Sequence, residues 1–69
     1  MRRSELLRQL SALAREEGLT LVFIREGSRH TLFCIGTSRV VVPRHRDVND
    51  RTARAILRKA RRELRDDDL

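Results

Sequence analysis

The sequence predicts an α+β fold. Two helices flank three short strands in the order αβββα, and the strands form a three-stranded antiparallel sheet with both helices on one face. Three observations predict it. Apolar residues recur at helical spacing near the start of the chain and again from Ala53 to Leu64. Between these stretches lie three short runs rich in β-branched and aromatic residues. The links between those runs are too short for a parallel crossover, which leaves an antiparallel meander.

Ser4 has the side chain of an N-cap, and Glu5 sits in the first turn, where the helix dipole favours an acid. Leu6, Leu7, Leu10, Leu13 and Ala14 then form one apolar stripe, with Arg8, Ser11 and Arg15 facing away, and Gly18 supplies a stop. The first helix is expected over about Ser4 to Glu17. The run from Leu19 to Ile24 reads as a strand and Arg25 to Arg29 as a polar turn around Gly27. His30 to Ile35 reads as the second strand. Gly36-Thr37 makes a tight turn, and Ser38 to Val42 reads as the third strand, ended by Pro43, which lacks a ladder donor. After the polar connection Arg44 to Val48, Asn49 caps a second helix. Its one face carries Ala53, Ile56, Leu57, Ala60 and Leu64, and its other face Arg51, Arg54, Arg58, Arg61, Arg62 and Arg65. The acidic tail, 66–69, is expected to fray, because its charges sit at the unfavourable end of the helix dipole. Both helices on one face of the sheet is the economical packing, and it is the layout of double-stranded-RNA-binding domains.

At 69 residues the chain is expected to be one domain, with its core over about residues 4–65. A domain of this size has no room for a deep enclosed cavity, so an active site should be a shallow surface feature. Both sheet faces are apolar. Leu21 and Phe23 alternate with Val22 and Ile24, Leu32 with Phe33, and Val40 with Val41, so the face without helices is expected to meet a partner.

The 16 Lys and Arg against 10 Asp and Glu leave a net charge of +6, and every basic residue but Lys59 is arginine. Arginine grips phosphate through paired hydrogen bonds, so a polyanion is the expected partner, nucleic acid first. Phe23 and Phe33 are the only aromatics, which speaks against readers that stack bases on aromatic platforms. Cys34, the single cysteine, cannot form an internal disulfide and is expected to be a small buried hydrophobe. On a shared strand His30 and Cys34 lie about 13 Å apart, too far to share a metal, so no metal site and no organic cofactor are expected. Arg2 and Arg3 precede an amphipathic pattern, not a leader or a membrane span, and the expected compartment is the bacterial cytoplasm.

Groups suited to proton transfer near neutral pH are few: His30 and His45. RNA cleavage suits so sparse a set, because the ribose 2′-hydroxyl is the nucleophile. The protein needs only a base, cations around the phosphate and an in-line geometry. His30 is the candidate base, with Arg29 beside it and Arg44, His45 and Arg46 on the later connection as phosphate-binding candidates. On its chemistry alone, His30 also reads as a surface or phosphate-binding group, His45 as a structural residue of a loop before a helix, and the arginine face of the second helix as a solvated one.

Four segments carry a family likeness over about residues 2–65: Ser4-Glu5-Leu6-Leu7, Gly27-Ser28-Arg29-His30-Thr31-Leu32-Phe33, Val41-Val42-Pro43-Arg44-His45-Arg46-Asp47 and Thr52-Ala53-Arg54-Ala55-Ile56-Leu57-Arg58. In order and spacing the chain resembles HicA-type toxins of bacterial toxin–antitoxin systems. It differs in having Arg29 between Gly27-Ser28 and His30, and in a second helix that continues through Ala60 to Arg65. The resemblance implies the αβββα fold, a metal-independent mRNA-cleaving activity with His30 as the catalytic histidine, and neutralisation by an acidic HicB-like antitoxin. Two other readings of the residues stand beside it: a non-catalytic RNA- or DNA-binding module of the same fold, and a protein-interaction adaptor that uses the apolar sheet face.

Overall fold

The computed structural model describes residues 1–66. The element order is α1 (Arg3–Glu16), β1 (Leu21–Glu26), β2 (His30–Ile35), β3 (Ser38–Pro43) and α2 (Asp50–Asp66). The strands form one antiparallel sheet in the order β1-β2-β3, which is the expected αβββα architecture. Of the tail expected to fray, residues 67–69 lie outside the described residues.

The start of α1 differs from expectation. Arg2, not Ser4, is the cap residue, and no side chain caps it. Instead the chain before the helix is tied to the segment before α2: the Arg3 amide donates to the Arg46 carbonyl (2.8 Å) and the Val48 amide to the Met1 carbonyl (2.7 Å). The end of α1 follows from Gly18, which takes φ +71°. The Leu19 amide then reaches the Ala14 carbonyl (2.8 Å) and the Gly18 amide the Arg15 carbonyl (3.0 Å), the paired bonds of a Schellman stop. Leu19 therefore belongs to the helix terminus, and β1 begins two residues later than its apolar run suggests. Asn49 caps α2 as expected, its Oδ1 accepting from the Arg51 amide at 2.8 Å.

The core lies between the helices and one sheet face. Leu6, Leu10, Leu13 and Ala14 from α1 and Ala53, Leu57, Ala60 and Leu64 from α2 bury against Phe33, Ile35, Val40 and Val42. Strict alternation in β2 and β3 sends His30, Leu32, Cys34, Arg39 and Val41 to the open face. Cys34 is thus half-buried on that face, not a core residue as expected. In β1 the register slips between Phe23 and Arg25. Phe23 pairs with Phe33 but Arg25 with Leu32, so Ile24 is the extra residue of a bulge. The bulge extends pairing through Arg25 and Glu26, two residues expected in the turn. Phe23 shares the helix-side face with Phe33, their rings edge-to-face at 6.1 Å, yet it stays 57% exposed because the helices cover only the start of β1, at Leu21. No described helix is long and apolar enough to cross a membrane.

Candidate active site

The turn between β1 and β2 sets the position of His30. The Gly27 amide donates to the His30 carbonyl at 2.8 Å, closing the hairpin around Ser28 and Arg29. From there alternation turns the imidazole to the open face and the next side chain, Thr31, to the core side. The Thr31 hydroxyl, 1% exposed, links two charged partners. It accepts from Arg3 Nη2 at 2.8 Å and donates to the Glu26 carboxylate. Arg3 Nε also donates to the carbonyl of Pro43, the cross-strand partner of His30, at 3.0 Å. One guanidinium from the first turn of α1 therefore braces both strands directly behind the histidine.

Arg44 braces the turn from the other side. Its amide donates to the Arg29 carbonyl (2.9 Å), its Nη1 to the Gly27 carbonyl (2.7 Å), and its Nε lies 3.5 Å from Glu26 Oε1. The expected phosphate ligand is thus largely engaged in holding the turn that carries His30.

On the open face, His30 and the Gly27-Ser28 turn line a groove of about 470 Å³. Arg25, Arg29 and Arg39 supply its cationic walls, and Leu32 and Val41 contribute apolar surface. Leu32 and Val41 are cross-strand partners, and Arg25 pairs with Leu32, so one row of the sheet runs across the groove. A second hollow of about 530 Å³ is lined by Ser28, Arg29, Arg44 and His45, so Arg29 borders both. His30 and Arg29 therefore come together as expected. Arg44 and His45 sit next door, and Arg46 lines neither hollow.

Arg25 and Arg39 were not legible as site residues. Arg39 stands two residues before Val41, so alternation along β3 was the signal for it. Arg25 reaches the face of His30 only through the bulge at Ile24, which nothing in the sequence marks.

The arrangement offers an accessible imidazole, guanidinium groups at the walls of a shallow groove, and apolar surface against which a ribose or base can rest. Among the described residues no side-chain hydrogen bond orients the His30 ring, and no three His, Cys, Asp or Glu gather as metal ligands. Compared with known protein families, curated proteins and solved structures, the chain matches none. The chemistry of the site therefore rests on its own residues.

Proposed function

We propose that this chain is a metal-independent endoribonuclease of the HicA type: the toxin of a bacterial toxin–antitoxin pair, acting on mRNA in the cytoplasm. The observation that carries the reading is the exposed His30 at one end of a groove walled by Arg25, Arg29 and Arg39. His30 takes the proton of a ribose 2′-hydroxyl. The 2′-oxygen attacks the adjacent phosphorus, the P–O2′ bond forms as the P–O5′ bond breaks, and the imidazolium returns the proton to the leaving 5′-oxygen. The products are a 2′,3′-cyclic phosphate and a 5′-hydroxyl. The arginines hold the phosphate and stabilise the charge that builds on its oxygens, and a positioned imidazole contributes about 10²–10⁴-fold.

An antitoxin fits the same face. Val22 and Val41 are exposed on it beside Arg25 and Arg39, which suits a HicB-like partner with apolar contacts ringed by acids. Such a partner blocks RNA by covering His30.

The test is expression in bacteria and cleavage in EDTA by purified protein, comparing wild type with His30→Ala. The reading expects growth arrest and cut mRNA from wild type alone, and relief when an acidic partner encoded beside it is co-expressed. Equal cleavage by both proteins removes His30 from the mechanism. RNA binding without cut fragments favours the second reading, a non-catalytic RNA-binding module. The observation behind that reading is the lack of a hydrogen-bonded partner for the imidazole.

A further inference from the structure

The outer face of α2 carries a second cationic surface, separate from the His30 groove. Arg51, Arg54 and Arg58 are exposed, stand at successive turns of one helix face and line a hollow of about 300 Å³. None of the three has an acidic partner among the described residues. The acid next to them, Asp50, is held first by the Met1 amino group at 2.8 Å, and Arg54 adds only a weaker attraction. Further along the helix the character changes: Arg61 and Arg65 share a groove with Glu16 and Glu17 of α1. The hollow between Arg51, Arg54 and Arg58 thus has no carboxylate in its lining, and at its Arg51 end the helix dipole adds positive potential.

Resting on the RNA reading above, we propose that Arg51, Arg54 and Arg58 form a second RNA-binding surface that takes backbone phosphates away from the point of cleavage. A guanidinium fork matches phosphate oxygens in pairs, and a row of them without bases to read gives sequence-independent grip. The chemistry disfavours other anionic partners. A membrane-surface helix needs an exposed apolar face, but that of α2 is buried through Ala53, Leu57, Ala60 and Leu64. Stable protein interfaces commonly seat aromatic or apolar anchors beside their arginines, and here only Thr52 and Ala55 flank the arginines.

The two surfaces are joined. Arg39, in the wall of the His30 groove, also lines a groove at the β3 edge with Ile56, Lys59 and Ala60 of α2. The Cα envelope is only 15 Å across its shortest axis. An RNA bound at His30 therefore continues round the β3 edge and onto α2.

The experiment measures binding of a labelled RNA hairpin with single-stranded flanks, in a His30→Ala background so that no RNA is cut. It compares the triple Arg51→Gln, Arg54→Gln, Arg58→Gln variant with a charge-matched control, Arg2→Gln, Arg8→Gln, Arg15→Gln, with melting curves on both. Glutamine keeps helix propensity. The stripe variant is expected to lose at least about tenfold in affinity, and its log K against log salt slope to shrink by about 2, at about 0.7 for each of three phosphates. The control is expected to lose much less. Equal losses in the two variants, no loss in the stripe variant, or a loss confined to phosphatidylglycerol vesicles overturns the proposal. Cleavage of the same RNA by protein with His30 intact is scored separately: if it is absent, the nuclease reading fails, while the binding comparison still decides the role of α2.

Discussion

Gly27 and His30 are in contact through their backbones: the Gly27 amide donates to the His30 carbonyl at 2.8 Å, and a Cβ on Gly27 would stand 2.8 Å from that same oxygen. The oxygen is backbone in a paired strand, so it cannot swing aside as a side chain would. Gly27→Ala must therefore open the hairpin end that carries the imidazole. Unfolding experiments should show a loss of about 1–3 kcal/mol. On the proposed nuclease reading, RNA cleavage should fall further than stability explains, by up to about 10²-fold, the cost of a displacement near 1 Å at a catalytic group. Full activity in a well-folded Gly27→Ala protein would show that the turn does not position His30.

Arg44 acts on the same turn from the connection that follows β3, as a positioning residue. Its Nη1 reaches the Gly27 carbonyl at 2.7 Å and the Ser28 carbonyl at 3.4 Å. Its pairing with Glu26 is half-exposed on both sides and adds little. Arg44→Ala should lower stability by about 1 kcal/mol and, on the proposed nuclease reading, reduce kcat with KM nearly unchanged. A phosphate ligand would show the reverse, a raised KM. Arg44→Lys should rescue poorly, because an ammonium cannot reproduce the planar fork.

These two residues show what was legible in the sequence. The strand from His30 to Ile35 was, because Gly27 and Gly36-Thr37 bracket a short run rich in β-branched and aromatic residues. The strand before it was displaced by two residues. The apolar character of Leu19 serves the end of α1, and the bulge at Ile24 carries pairing on to Glu26. The neighbours His30 and Arg29 were legible as a pair, since local order alone joins them. The inward turn of the Arg44 guanidinium depends on carbonyls 16 and 17 positions away along the chain, which composition and spacing cannot show.

Thr31 tests the brace behind the site. Its buried hydroxyl joins Arg3 to Glu26. Thr31→Val keeps the shape but leaves both partners short of a hydrogen bond near the core. Chemical denaturation should register a loss of about 1–3 kcal/mol. Thr31→Ser, which keeps the hydroxyl, should recover most of the polar contribution. If valine is as stable as threonine, the Arg3–Thr31–Glu26 chain contributes nothing to the fold.

Two surface carboxylates contribute to the acid limb of stability. Asp50 is held below the usual carboxylate range, first by the hydrogen bond from the Met1 amino group and then by its charge. Glu5 is held low by hydrogen bonds from Arg8 and then Gln9. For both, the folded pKa lies below the unfolded one. Their contribution is therefore fully present above the unfolded value, near pH 4, and is lost as pH falls through the folded value. Thermal melts from neutral to strongly acid pH should show Tm declining below pH 4, with a shallower decline in Asp50→Asn and in Glu5→Gln. Because both groups face solvent, added salt should blunt the difference between variants and wild type. An acid limb of the same steepness in the double variant would place the titrating groups elsewhere.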